Sequence, residues 1–290
     1  MYMVELIANV NNAINGFVWG VPMLVLLVGT GILMTILTKF FQLSHIGHWF
    51  KNTVGGIFHD QHVTKHTDAD DQSISQFQSL CTALAATIGT GNIVGVATAI
   101  GIGGPGAVFW MWFTGLLGMA TKFGEATLAV KYRVKAADGS FIGGPMYALE
   151  RGLGHKWLGV LFAIFTGIAC FGIGNMTQAN SIAESMNGTF GIPKIATGIV
   201  LMVITGLVIL GGVKSISKVC EKLIPLMAGL YIVGCIVICV INGAHIPAAF
   251  AAIVKGAFNP AAAGGGFVGA TVVACIRAGV SRGLFTNESG

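Results

Sequence analysis

Thr87-Ile88-Gly89-Thr90-Gly91-Asn92-Ile93 sits in the middle of an otherwise apolar run, residues 77–100, and how it is read decides the fold. The run has the length of a membrane-spanning helix. Two glycines and two hydroxyl residues at its centre oppose that helix, since each Gly costs about 1 kcal/mol relative to Ala in a helix interior. In lipid an unwound turn is tolerated only where protein or a wet cavity satisfies the freed N–H and C=O groups. Those groups can also act as ligands. Amides at the start of a half-helix suit a carboxylate, and released carbonyls beside a side-chain oxygen suit Na⁺.

Composition says why lipid is the solvent. Hydrophobic residues make up 54% of the 290 positions and charged residues 9%, against about 25% charged in a soluble domain. Such a chain cannot cover itself with a water-facing shell. Its 43 glycines suit helices that pack closely where the hydrophobic effect does not draw them together. The net charge of +5 is too small and too scattered to imply a nucleic-acid partner, and orientation in the membrane explains it better. The first apolar stretch lacks a basic n-region and is too long for a signal peptide, so no cleavage is expected.

Seven runs are candidates to span the bilayer: A near 17–38, B 77–100, C 106–130, D 157–185, E 195–213, F 223–242 and G 264–287. With the N-terminus outside, the inner loops hold Lys39, Lys51, Lys65, Lys131, Arg133, Lys135, Arg151, Lys156, Lys214, Lys218 and Lys222. The outer segments hold Lys194 and Lys255. Excess basic residues belong on the cytoplasmic side, which sets this orientation. Trp19, Trp110, Trp112 and Trp157 fall near segment ends, as interfacial anchors do.

Segment G ends in Leu284-Phe285-Thr286-Asn287-Glu288-Ser289-Gly290, again polar and glycine-containing after an apolar run. B and G are five segments apart and cross the membrane in opposite directions. Paired interruptions of this kind point to an inverted-repeat transporter with its site at the repeat interface. Taken singly, each stretch is also compatible with a small-residue helix contact.

Segment D carries Asn175, Gln178 and Asn180 within little more than one turn, with Asn175 and Gln178 sharing a face at i, i+3. They are readable as interhelical hydrogen bonding or as substrate contacts. Lys122 and Glu125, also at i, i+3, suit a structural ion pair better than a coupling site. His59, His62 and His66 lie in a polar loop without the ligand set of a metal centre, so no metal is expected. The six cysteines sit mostly inside apolar runs and read as packing. Phosphate-loop, nucleophile-elbow and zinc-protease motifs are absent, and Gly103-Gly104-Pro105-Gly106 reads as a tight turn. No enzyme is expected.

Three stretches resemble the alanine or glycine:cation symporter family, also called sodium:alanine symporters: Thr87 to Val96, Gly103 to Gly118, and Arg282 to Gly290. Similarity extends over essentially the whole chain. The resemblance implies an all-α polytopic membrane bundle with a five-plus-five inverted repeat, as in leucine-transporter-like symporters. On that analogy 1–72 is an extra N-terminal helix with a cytoplasmic loop, 73–242 the first repeat, and 243–290 the start of the second. Gly89, Thr90, Gly91, Asn92, Gln178, Phe285 and Thr286 would contact substrate, and Ala85, Ile88 and Asn92 would lie at a sodium site. The activity implied is Na⁺-coupled symport of alanine or glycine across the plasma membrane, with Na⁺ as coupling ion and no other cofactor.

Family members continue for several more helices, so the resemblance also raises the expectation of a truncated chain, inactive alone. A passive channel is the other rival. It needs a continuous polar stripe, whereas the polar residues here cluster at mid-depth. Alanine versus glycine, and Na⁺ versus H⁺, stay open.

Overall fold

A computed structural model describes residues 2–18, 20–56, 74–89, 91–137, 139, 141–258 and 279–280. These residues are overwhelmingly helical. In chain order they form α1 (Tyr2–Val18), α2 (Val21–Leu37), short turns at Phe41–Ser44 and Ile46–Phe50, α3 (Gln76–Thr87), α4 (Val96–Gly103) and α5 (Gly106–Lys131). A small antiparallel hairpin, β1 (Val134–Lys135) and β2 (Phe141–Ile142), follows. Then come α6 (Lys156–Ala169), α7 (Thr177–Phe190), α8 (Lys194–Leu210), α9 (Gly212–Ile241) and α10 (Ile246–Phe258). The hairpin pairs Val134 with Ile142, and Arg133 lies 4.3 Å from the centre of the Phe141 ring.

Helix lengths identify the spans. Lys156–Phe190, 35 residues, and Gly212–Ile241, 30 residues, are each long and apolar enough to cross a membrane. At about 1.5 Å per residue both exceed a hydrocarbon core of about 30 Å. Gln76–Thr87 and Gly91–Gly103 meet the requirement only together, bent by 51° across the break. Expected segments D, F and B are therefore present. Segments A and E are shorter apolar helices, Pro22–Leu37 and Lys194–Leu210. Segment C is the single helix α5, diluted by Lys122 and Glu125. Of segment G only Gly279 and Val280 are among the described residues; both are helical and buried. The chain is a multi-pass membrane protein.

Some boundaries differ from expectation. Segment F begins at Gly212 rather than at 223, so Lys214, Lys218 and Lys222 lie in the first turns of a helix and not in a loop. Charged side chains are compatible with a helix that runs past the hydrocarbon, and hydropathy alone places its end too early. Helices α1 and α10 were not foreseen. The Gly103–Gly106 turn is present: Gly104 caps α4 with φ 71°, a conformation that favours glycine, and α5 starts two residues later.

Residue size and burial run inside out. The buried apolar residues are mostly small, Cys81, Ala99, Ala107, Ala120, Ala183 and Ala257 among them. Large apolar side chains such as Phe165, Phe171, Ile195, Leu207, Leu210 and Val240 are exposed. This pattern fails in water and suits lipid, where small residues let helices approach and large ones meet acyl chains.

The residues divide into two units. In the first (Met1–Ile46, Gly91–Lys122, Val233–Ser289), α10 crosses the start of α5 backbone to backbone, Gly106 against Gly256 and Ala257. Around that crossing Phe258 stacks edge-on to Phe109 at 5.0 Å and Trp110 at 6.0 Å, and the Trp110 indole N–H donates to the Ala257 carbonyl. Trp110 thus takes part in helix packing, and Trp112 lies 5.9 Å from the Phe250 ring while keeping half its surface exposed. Gly31 of α2 lies against Leu117 of α5. The second unit (Gly47–Thr90, Phe123–Ile232) holds α3, the end of α5, the hairpin, α6 to α8 and most of α9. Within it Gly159 of α6 lies against the Met146 carbonyl, and Gly191, with φ 68°, ends α7 by donating to the Asn187 carbonyl.

Candidate functional site at the helix break

The site is built from the start of α3. Ser75 caps this helix: its Oγ accepts the Gln78 backbone N–H at 3.2 Å, and the Gln78 side-chain oxygen accepts the Ser75 N–H at 3.3 Å. This reciprocal pairing satisfies two of the amides that a helix start leaves free. The other end is irregular. Ile88 donates to the Leu84 carbonyl at 2.7 Å, the last bond of the helical pattern, and takes φ −81°, ψ 88°. Gly89 then turns its N–H to the Thr87 carbonyl at 3.1 Å. The bond a continuing helix makes, from Gly89 to Ala85, is not made. The chain resumes as a π-helical turn, Gly91–Gly95, leading into α4.

Gly89 faces a second irregular helix. A Cβ at this position would lie 3.0 Å from Gln178 Nε2 and 3.4 Å from Oε1. A real side chain there displaces the amide, so the missing side chain is what lets Gln178 reach the break. Gln178 is the second residue of α7, just after a π-helical stretch, Cys170–Met176, that carries Gly172 and Gly174. Such stretches occur often at functional sites. They also undo simple periodicity, so Asn175 and Gln178 cannot be assigned one face at i, i+3. Gln178 is half-buried, whereas Asn175 and Asn180 are exposed.

Of the expected site residues, Ala85, Ile88 and Gly89 are half-buried at the end of α3, and Gly91 and Asn92 are half-buried at the start of the π-helical turn. Gly89 and Gln178 are brought together. Thr90, Phe285 and Thr286 lie outside the described residues, as do His59, His62 and His66. Lys122 is half-buried and Glu125 exposed on α5. Among the described residues no group of three or more His, Cys, Asp or Glu could hold a metal.

Two features escaped the sequence reading. One is the π-helical stretch before Gln178, whose signal was the glycine pair at 172 and 174. The other is Glu221 of α9, which accepts a hydrogen bond from Gln78 Nε2 at 2.8 Å; nothing in its local sequence announces it. Glu184 of α7 pairs with Lys194 of α8 beside the Gly191 turn. Both side chains are more than half exposed, which makes this a weak surface tie.

Residues 4–290 match the profile of the Sodium:alanine symporter family. The chain is 48% identical over 289 residues to an uncharacterized transporter of Haemophilus influenzae, covering 98% of this chain and 60% of that protein. It is 48% identical over 284 residues to the sodium/alanine symporter AgcS of Methanococcus maripaludis, covering 96% and 60%. It is 36% identical over 288 residues to the probable sodium/glutamine symporter GlnT of Bacillus subtilis, covering 99% and 57%. It thus spans about 60% of the length of the first two of these relatives. By this match along nearly its whole length, and by a glycine-broken apolar helix within a predominantly helical membrane protein, the chain belongs to the sodium:alanine symporter family.

Proposed function

We propose that the protein is a secondary active transporter that couples Na⁺ entry to uptake of a small neutral amino acid, alanine or glycine, by alternating access across the plasma membrane, with its N-terminus outside. The observation that carries this reading is the approach of Gly89, at the break, to the Gln178 amide. A broken helix beside a polar side chain supplies what a zwitterion and a cation need in a dry setting: amide donors for the carboxylate, and freed carbonyls with a side-chain oxygen for the ion.

In this proposal the amides of Thr90 and Gly91 bind the carboxylate, Asn92 lies near both substrate and ion, and Gln178 hydrogen-bonds the substrate. The carbonyls of Ala85 and Ile88 face Na⁺, and Phe285 and Thr286 close the pocket. Residues 73–242 form the first of two inverted repeats and 243–290 begin the second. The failure of Gly89 to bond Ala85 supports the assignment of the Ala85 carbonyl, which the break releases from the helical pattern. The name of the Methanococcus relative supports alanine and sodium. That of the Bacillus relative, which names glutamine, makes substrate size the property to test.

Uptake of labelled alanine into cells expressing the protein tests the reading. Replacing external sodium with choline is expected to stop accumulation. Gln178→Ala and Asn92→Ala are each expected to lower kcat/KM for alanine about 10- to 100-fold, the range for losing a hydrogen bond to a charged group. Competition is expected from excess glycine and not from glutamine. Wild-type uptake in both variants removes these residues from the site, and accumulation that ignores sodium overturns the symport.

A further inference from the structure

Glu221 is a half-buried carboxylate on the face of α9 that carries buried Ser217 and Ile224, four residues before it and three after. Lys214, Lys218 and Lys222 share its helix. Its carboxylate accepts a hydrogen bond from the neutral amide of Gln78, whose Nε2 donates to Oε2 at 2.8 Å. The oxygen of that amide is already engaged, since it accepts the Ser75 backbone N–H in the cap of α3. One side chain thus closes the N-terminus of α3 and ties it to α9.

The tie lies at the end of α3 away from the break, which gives it leverage. Nine residues separate Gln78 from Thr87, about 14 Å of helix, so a tilt of ~10° about the break moves the amide by ~2 Å and parts the bond. Both groups are half-buried and find water when they separate. An amide on a carboxylate is a charge-assisted bond, strong enough to hold two helices. It lacks the buried, unpaired charge that would make opening prohibitive.

Resting on the transport reading above, we propose that Gln78 and Glu221 are positioning residues of the transport cycle: their bond holds α3 against α9, and its release lets α3 tilt about the break at Gly89. The chain carries its own reporter of that motion. Cys81 lies three residues beyond Gln78 on the same face of α3, is 1% exposed, and has Glu221 and Cys220 of α9 as electrostatic neighbours. Its thiol is covered while α3 lies against α9 and uncovered when the helices part.

The experiment uses the full-length protein in membranes, with the other cysteines replaced by serine or alanine, and reads the rate at which N-ethylmaleimide labels Cys81. Gln78→Glu keeps the cap, because Glu also serves at this position, but sets carboxylate against carboxylate. It is expected to speed labelling roughly tenfold, since facing like charges repel strongly. The exchanged pair, Gln78→Glu with Glu221→Gln, restores a donor and an acceptor and is expected to return labelling to the wild-type rate. Glu221→Leu, which removes the acceptor without repulsion, is expected to speed it too. In the wild type, sodium with alanine is expected to change the rate relative to sodium alone.

Labelling that is unmoved by Gln78→Glu, or not restored by the exchanged pair, overturns the positioning role. The two readings also fail in different ways. Absence of sodium-driven alanine uptake in the wild type strikes the transport reading, whereas uptake with labelling indifferent to sodium and alanine strikes only the role of Gln78 and Glu221.

Discussion

Gly89→Leu is expected to abolish sodium-driven alanine uptake while leaving the protein folded in the membrane. Any Cβ at this position lies 3.0 Å from Gln178 Nε2, inside an ordinary van der Waals separation of about 3.5–4.0 Å. The atom it meets is the far end of a flexible side chain, so the fold yields by swinging the amide aside, not by moving a helix. A methyl group requires a displacement of a few tenths of an ångström, and Gly89→Ala is expected to lower kcat/KM about tenfold, the loss from a misplaced hydrogen-bonding group. A leucine fills the approach. The amide then loses its place beside the break, and the expected loss exceeds about 100-fold. Uptake normalised to protein in the membrane makes the measurement. Wild-type kcat/KM in Gly89→Leu would show that the meeting of Gly89 and Gln178 has no part in transport.

The second large effect is on folding. Gly106→Ala is expected to deplete the membrane of folded protein, because a Cβ at Gly106 would lie within the backbone of Gly256 and Ala257. The crossing is reciprocal: a Cβ at Gly256 would sit 2.9 Å from the Gly106 nitrogen. No side chain stands between the two helices to give way, so α5 and α10 must separate. Overpacking of this kind costs about 1–3 kcal/mol or more, out of a total stability of about 5–15 kcal/mol. Trp110, Phe109 and Phe258, which pack around the crossing, would lose their contacts with it. Gly101→Ala and Gly115→Ala are the controls, since nothing lies within 4 Å of a Cβ at either site. Each is expected to be neutral or mildly stabilising, as Ala is favoured over Gly in a helix by about 1 kcal/mol. Thermal unfolding in detergent followed by size-exclusion chromatography distinguishes the three variants, and a Gly106→Ala protein as stable as the controls would contradict the close crossing.

Helix α9 shows where a one-dimensional reading falls short. Its apolar stretch identified a span, but hydropathy placed the start at residue 223, whereas the helix starts at Gly212 and carries Lys214, Lys218, Glu221 and Lys222 in its first turns. Hydropathy reports the solvent around a segment, not the hydrogen bonding of its backbone. Segment D shows another limit. Its polar residues were legible, yet the π-helical stretch Cys170–Met176 changes the rotation between Asn175 and Gln178, so the period of a regular helix could not say which of them turns inward.

Much about the helix break was local, and the sequence by itself determined it. Gly89, Thr90 and Gly91 disfavour a helix whatever surrounds them, and a chain with 9% charged residues must be solvated by lipid. Membrane residence, the place of the break and the Gly103–Gly106 turn follow from such properties of neighbouring residues. Only the tertiary structure decided what meets the break. Gln178, and not Asn175 or Asn180, lies against Gly89; Gly106 is a crossing point while Gly115 is open; and Glu221 takes the amide of Gln78, 143 residues away in sequence. These are contacts between distant segments, set by how closely two backbones can approach, and no local propensity encodes that distance.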